Sequence, residues 1–306
     1  MPRLLSEILN FTKEQQIAWV GSGGKTTLMF AVAHELFQHS IVTTTTHLAT
    51  PEIELADFHI ELAIQQTISI VDLQILLPKK GVILITGCVS DNESHKLNPV
   101  TTEQLLIISK YCKNSQIPLL IEADGSRRKP IKANRQYEPV IPPFVDTVCM
   151  VAGLSGLEKP ASIETIHRFE IFSELTGINS GETITENHLF KYITHPNGGL
   201  KDISTITNKI LFLNQADLYP YELSNLFFFA RRFQKHFSQT LVSGKILGES
   251  QTQILASFSS IGCVILAAGQ AQRFGSPKQL AVWNNKTLLE HVIASAKDAN
   301  LFQLTV

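Results

Sequence analysis

The stretch Trp19-Val20-Gly21-Ser22-Gly23-Gly24-Lys25-Thr26-Thr27-Leu28 decides how the chain is read. A short apolar run over residues 17–20 gives way to glycines, one lysine and two threonines. Residues 25–38 then place Leu28, Val32 and Leu36 four apart, as on one face of a helix. A strand that passes into a helix through glycines is the form of a phosphate-binding loop. Backbone N–H groups turn inward around phosphate oxygens, lysine adds a point charge, and a threonine hydroxyl ligates Mg²⁺. The positive end of the helix dipole points to the same spot. Gly21, Ser22, Gly23, Gly24, Lys25, Thr26 and Thr27 are therefore the expected nucleotide contacts. The spacing is not the standard one, because GxxxxGK[ST] needs glycine where Trp19 stands, and the variant with a leading lysine needs lysine at Val20. An ordinary glycine-rich turn between strand and helix is the competing reading.

Outward from this loop, residues 41–45 are β-branched throughout and read as the next strand. Apolar runs recur at 82–86, 119–123, 148–152 and 210–213, separated mostly by helix-length segments, with helical spacing over 101–112 and 223–237 and a last strand at 240–242. Runs this continuous are strands buried on both faces. The expected fold is α/β, a P-loop-type doubly wound, mostly parallel sheet with helices on both faces, over residues 1–245. Residues 246–260 mix Ser, Gln and Thr and read as a linker. Residues 261–306 begin a second α/β, Rossmann-like unit as a strand-helix-strand fragment.

The totals narrow the class of partner. With 26 Lys and Arg against 27 Asp and Glu, the 306-residue chain has a formal net charge of -1 and no general attraction to nucleic acid or anionic membrane. Cys88, Cys112, Cys149 and Cys263 lie too far apart for a CxxC pair or a zinc-ligand spacing. No apolar run reaches the length of a membrane span. A soluble, cytoplasmic protein with neither nucleic-acid nor membrane partner is expected.

Glu122-Ala123-Asp124-Gly125 closes one strand, so carboxylates fall at the carboxyl end of the sheet, where α/β proteins bind ligands. Asp124 suits a direct or outer-sphere Mg²⁺ contact and Glu122 can orient a water. With Lys25 they make the expected catalytic set, and Thr26, Thr45 and Asp124 the expected metal set; Asp-Gly as a plain turn is the alternative. Thr43, Thr44, Thr45 and Thr46, with His47 behind, end the neighbouring strand and offer a switch-like hydroxyl near the γ-phosphate, or simply β-branched strand residues. Asn214-Gln215-Ala216-Asp217 resembles the NKxD base-reading motif with Gln for Lys; Asp217 as a helix-start residue is the rival. Arg127, Arg128, Lys129, Lys132 and Arg135 form a basic loop that reads either as an anionic-substrate site or as a solvated charged segment. His167-Arg168 invites the same guess, and His195 reads as part of a Pro-Asn-Gly-Gly turn.

The tail Leu266-Ala267-Ala268-Gly269-Gln270-Ala271-Gln272-Arg273-Phe274-Gly275-Ser276-Pro277-Lys278 brings glycine backbone close to a nucleoside triphosphate, with Arg273 and Lys278 on the phosphates. Gly269, Arg273 and Lys278 join the expected cofactor-binding residues beside Asn214 and Asp217. Nucleotidyl transfer also needs acidic metal ligands, which the 46 residues 261–306 do not carry. This segment is read as too short to act alone.

Taken together, the glycine-lysine-threonine loop, the threonine run, Glu122-Ala123-Asp124-Gly125 with its basic sequel and Asn214-Gln215-Ala216-Asp217 resemble the YqeC family. Residues from about 261 onward are similar to the start of MobA-like molybdenum cofactor nucleotidyltransferases, cytidylyltransferases included. The loop residues point to a Mg²⁺-dependent protein that binds and hydrolyses ATP or GTP, and the resemblance implies that it is an accessory protein. Its setting is the maturation of a selenium-dependent molybdenum hydroxylase or its cofactor. Implied partners are the nucleotide, an anionic pterin or a selenium or sulfur species, and the apo-hydroxylase. A kinase-like phosphotransferase is the near variant. A molybdenum cofactor nucleotidyltransferase and a non-catalytic scaffold for the apo-hydroxylase are the other readings.

Overall fold

The apolar run before the glycines forms strand β1, Gln16–Gly21, and the following residues form helix α1, Lys25–Leu36. The computed structural model describes residues 5, 8–90, 95–245, 252–259, 262–267, 277–298 and 303–305. They fall into two compact units, Met1–Phe258 and Ser259–Val306.

In the first unit the strands are β1, then β2 (His39–Thr44), β3 (Phe58–Leu62), β4 (Gly81–Gly87), β5 (Leu119–Glu122), β6 (Thr147–Gly153), β7 (Asn208–Asn214), β8 (Gln239–Lys245) and β9 (Thr252–Ser259). They build one nine-stranded sheet in the order β9-β8-β7-β6-β1-β5-β2-β4-β3. From β8 through to β3 every neighbouring pair is parallel. The chain leaves β1 through α1 and returns as β2 on the far side of β5, so β1 sits at the centre with β5 and β6 against it. The carboxyl ends of β1, β5, β2, β6, β7 and β8 therefore lie along one edge, where a doubly wound sheet places its ligand.

Alternation along β1 shows why the runs are continuous. Ala18 and Val20 enter one buried cluster with Leu73 of helix α2 (Ile70–Leu76), Leu105 and Ile108 of α3 (Thr102–Ser115), Phe172 of α4 (Phe169–Thr176), Leu189 of α5 (Glu186–Thr194), and Leu226 and Phe229 of α6 (Leu223–Arg231). Ile17 and Trp19 enter the other with Leu28, Met29 and Val32 of α1. Both faces of β1 are covered, and its positions 17–20 are all apolar. Trp19, fully buried, lies 5.4 Å from the Phe212 ring of β7. Truncating an aromatic of this kind costs about 3–5 kcal/mol. That burial explains why tryptophan stands where the standard loop has glycine.

Three elements differ from expectation. α1 stops at Leu36, two residues early, and residues 223–237 divide into α6 and a 3-10 turn, Arg232–Lys235. Residues 252–259, inside the stretch read as a linker, form β9, with Ile254 in the Trp19 cluster and Leu255 packed on the opposite one. A polar composition hid that alternation.

In the second unit, Gly262–Val264 pairs in parallel with Gln303–Thr305, and helix α7, Leu288–Asp298, runs between them in sequence. Thr287 caps α7, accepting the Glu290 amide at 3.1 Å. Lys278 opens a 3-10 turn, Lys278–Leu280, whereas Gly269 and Arg273 lie outside the described residues.

Candidate functional site

Only Ser22, Gly23 and Gly24 separate β1 from α1. The turn is tied to β6 and to the segment before residue 131. Ser22 donates its amide to the Val151 carbonyl at 2.9 Å and its hydroxyl to the Pro130 carbonyl at 2.9 Å. A Cβ on Gly23 would lie 2.2 Å from the Gly153 Cα, so two glycine backbones cross there with no room for a side chain. Gly24 caps α1 with φ 92°, a left-handed conformation that glycine adopts without strain. The first-turn amides of α1 have no partner within the helix and face the carboxyl edge of the sheet.

Beneath the turn runs a row of alternating charges. Lys25 Nζ lies 2.8 Å from Glu122 Oε1 and 3.3 Å from Asp124 Oδ1, and it also donates to the Asp124 carbonyl. Asp124 accepts the Gly21 amide at 2.9 and 3.1 Å and faces Lys132 Nζ at 2.7 Å. Lys132 approaches Glu138 at 3.6 Å, and Glu138 is gripped on both oxygens by Arg168. The order is Glu122, Lys25, Asp124, Lys132, Glu138, Arg168. Three cations and three carboxylates balance in a region where an unpaired charge would be costly.

The environment fixes protonation. Burial alone pushes the Asp124 carboxyl up, but Lys132, Lys25 and the Gly21 amide outweigh it and hold Asp124 below the usual carboxylate range. Burial alone would likewise lower Lys25, but Glu122 and Asp124 reverse this and raise it. His167 is pushed down to about 4 by burial and by Arg168, Lys132 and Arg127, so its imidazole is neutral at pH 7.

Lys25, Thr26, Glu122 and Asp124 are thus brought together. The Thr26 hydroxyl donates to Glu122 at 2.7 Å. Asp124 has both oxygens committed to the turn and the lysines. Thr27 is exposed on α1. Thr45 donates its hydroxyl to the Val140 carbonyl at 2.9 Å. Thr44 bonds back to the Thr46 carbonyl at 2.8 Å, so the threonine run is engaged with backbone. Within the basic loop, Lys132 turns inward because residues 131–132 pair with Ile166–His167, while Arg127 and Arg128 are exposed. His195 caps its turn, its Nδ1 accepting the Asn197 amide at 3.0 Å.

Asn214 reaches the turn as well. Its Nδ2 donates to the Gly23 carbonyl at 2.8 Å, and its Oδ1 accepts Ser243 Oγ at 3.0 Å. Asp217 is exposed, one oxygen taking the Lys245 amide at 3.0 Å. Glu52 is a residue the sequence did not single out. It sits in the 3-10 turn Thr50–Leu55 after the threonine run, and burial together with the Glu122 charge raises its pKa to about 7. Its one sequence signal is Thr50-Pro51-Glu52, which reads as a helix start.

Magnesium prefers hard oxygen ligands and keeps several waters, using one or two protein groups beside phosphate. The Thr26 hydroxyl against the Glu122 carboxylate fits that donor set. Among the described residues, no group of three or more His, Cys, Asp or Glu side chains could hold a metal alone. Nor is any helix among them long and apolar enough to cross a membrane.

A doubly wound sheet with a glycine turn at its central strand, a lysine and a threonine opening the helix, and an acidic strand end facing them defines an α/β protein of nucleotide-related role. The family model for YqeC protein matches residues 17–170, and that for the MobA-like NTP transferase domain matches residues 263–306. YqeC of Escherichia coli (strain K12) is 31% identical over 208 residues, which is 65% of this chain and 75% of that protein. The chain belongs to the YqeC family. No solved structure matches it.

Proposed function

We propose that the first unit binds a nucleoside triphosphate with Mg²⁺ at the turn of residues 21–27 and hydrolyses it, as a cytoplasmic accessory step in the maturation of a selenium-dependent molybdenum hydroxylase or its cofactor. The observation that carries the nucleotide reading is the buried Lys25, first residue of α1, held at 2.8 Å from a Glu122 carboxylate that also takes the Thr26 hydroxyl. The pathway is supported by the family and by the MobA-like match beside it.

In this reading Lys25 shifts from Glu122 and Asp124 to the β- and γ-phosphate oxygens. The first-turn amides of α1 receive the remaining phosphate charge. Thr26 and Glu122 hold the metal, which supplies charge neutralisation at the phosphates. Asp124 keeps the Gly21 amide and Lys132 in place, positioning the turn rather than touching the reacting atoms. Glu122 and Glu52 are the carboxylates placed to orient a water. Arg127 and Arg128 are available to an anionic pterin or to a selenium or sulfur species.

The test is thermal unfolding with ATP, GTP or CTP and Mg²⁺, followed by phosphate release. Ligand that binds only the folded state raises its melting temperature. The expected result is a rise abolished by Lys25→Ala. A CTP-only rise that survives Lys25→Ala would instead favour the transferase reading carried by the match at residues 263–306.

A further inference from the structure

We infer that the carboxyl ends of β7 and β8 form a guanine site, with Asp217 reading the base and the Gly244-Lys245 backbone completing it; this rests on nucleotide binding at the neighbouring turn. Three observations place the site. Asn214 joins the phosphate side to β8, since its two ends bond the Gly23 carbonyl and the Ser243 hydroxyl. A Cβ on Gly24 would meet Asn214 Nδ2 at 2.8 Å, so the end of β7 lies directly on the loop. Three residues on, Asp217 is exposed at the same edge, and the Lys245 amide donates to its Oδ1 at 3.0 Å.

The pairing of these groups selects the base by chemistry. A carboxylate is an acceptor only, and beside it stands a backbone N–H, a donor only. Guanine presents N1–H and N2–H₂ donors next to the O6 acceptor, which satisfies both groups when the Lys245 amide passes from Asp217 to O6. Adenine presents the reverse order, with its N1 lone pair facing the carboxylate and its N6 hydrogens facing the N–H. Against adenine the Lys245 amide can only stay on Asp217, whose free oxygen then faces a lone pair instead of a donor, and sites built on such hydrogen bonds reject the mismatched analogue strongly. Gly244 keeps the donor close. A Cβ there would lie 2.9 Å from Asp217 Oδ1 and 3.0 Å from its amide, so only glycine lets the two backbones approach this far. The place of a base-stacking lysine is taken by Gln215, whose Oε1 accepts Ser155 Oγ at 2.6 Å, so the side chain is committed to the protein.

Calorimetric titration of the full chain with GTP, ATP and XTP in Mg²⁺ tests the assignment. Wild type should bind GTP at least ~100-fold tighter than ATP. Asp217→Asn exchanges one acceptor for a donor, which suits the xanthine C2 carbonyl in place of the guanine amino group. That variant should lose GTP by a similar factor and gain XTP. The gain separates base reading from a folding defect. Equal affinity for GTP and ATP in wild type, or an Asp217→Asn variant that keeps its GTP preference, would overturn the base site and leave the phosphate site standing. Failure of every nucleotide to bind wild type would overturn both.

Discussion

At the scale of single residues, Glu52 and Asp124 respond to pH with opposite signs. Glu52 has a folded-state pKa raised to about 7 by burial and by Glu122. Its contribution to stability is complete below the ordinary glutamate value of about 4.3 and is lost as pH rises through the folded value. Glu52→Gln keeps the shape and removes the titration. The urea midpoint of wild type should therefore fall relative to this variant between about pH 4 and 7. Asp124 is held below the ordinary carboxylate range, so its contribution is present above about pH 4 and lost on further acidification. Asp124→Asn should flatten that acid limb. At neutral pH it should cost about 3–5 kcal/mol in urea unfolding, because Lys25 and Lys132 lose their shared buried counter-charge. Sequence alone named Lys25, Thr26, Glu122 and Asp124, since each ends or begins an element of unmistakable pattern. It did not show that Lys132 rather than Arg127 or Arg128 turns inward. That choice is made by the two-residue ladder between 131–132 and 166–167, a contact across more than thirty positions that no local spacing records.

At the scale of elements, the junction of β1, its turn and α1 is fixed by the crossing of Gly23 over Gly153. Gly23→Ala would put a methyl 2.2 Å from the Gly153 Cα in a residue with φ +82°, and the obstacle is backbone, which cannot swing aside. A loss of about 2–4 kcal/mol is expected from overpacking and strain together, read as a lower urea midpoint. Fluorescence of Trp19, one strand position before Val20, should report the shift. The central strands were legible because burial on both faces leaves continuous apolar runs. β3 was not, because an edge strand needs fewer apolar positions and Phe58-His59-Ile60-Glu61-Leu62 alternates with polar residues. β9 escaped for the same reason, its Gln253, Ser257 and Ser259 masking Ile254 and Leu255.

At the scale of the whole molecule, the two units differ in how much they bury. Val264 is 68% exposed, Leu266 92% and Trp283 60%, and α7 has no buried residue, whereas α1 rests on fully covered Leu28, Met29 and Val32. Few buried contacts mean cheap local opening. Amide hydrogen exchange should therefore be faster across residues 262–266 and 282–298 than across 16–32, and equal protection would contradict the difference. The row from Glu122 to Arg168 has a kinetic consequence. Its six charges cancel, so from a Debye length away a triphosphate senses little of Lys25 and is guided mainly by the exposed Arg127 and Arg128. Capture rates measured by stopped flow should fall with added salt in wild type and become nearly salt-independent in Arg127→Gln/Arg128→Gln. Lys25, proposed above to hold the phosphate, would then be silent during approach.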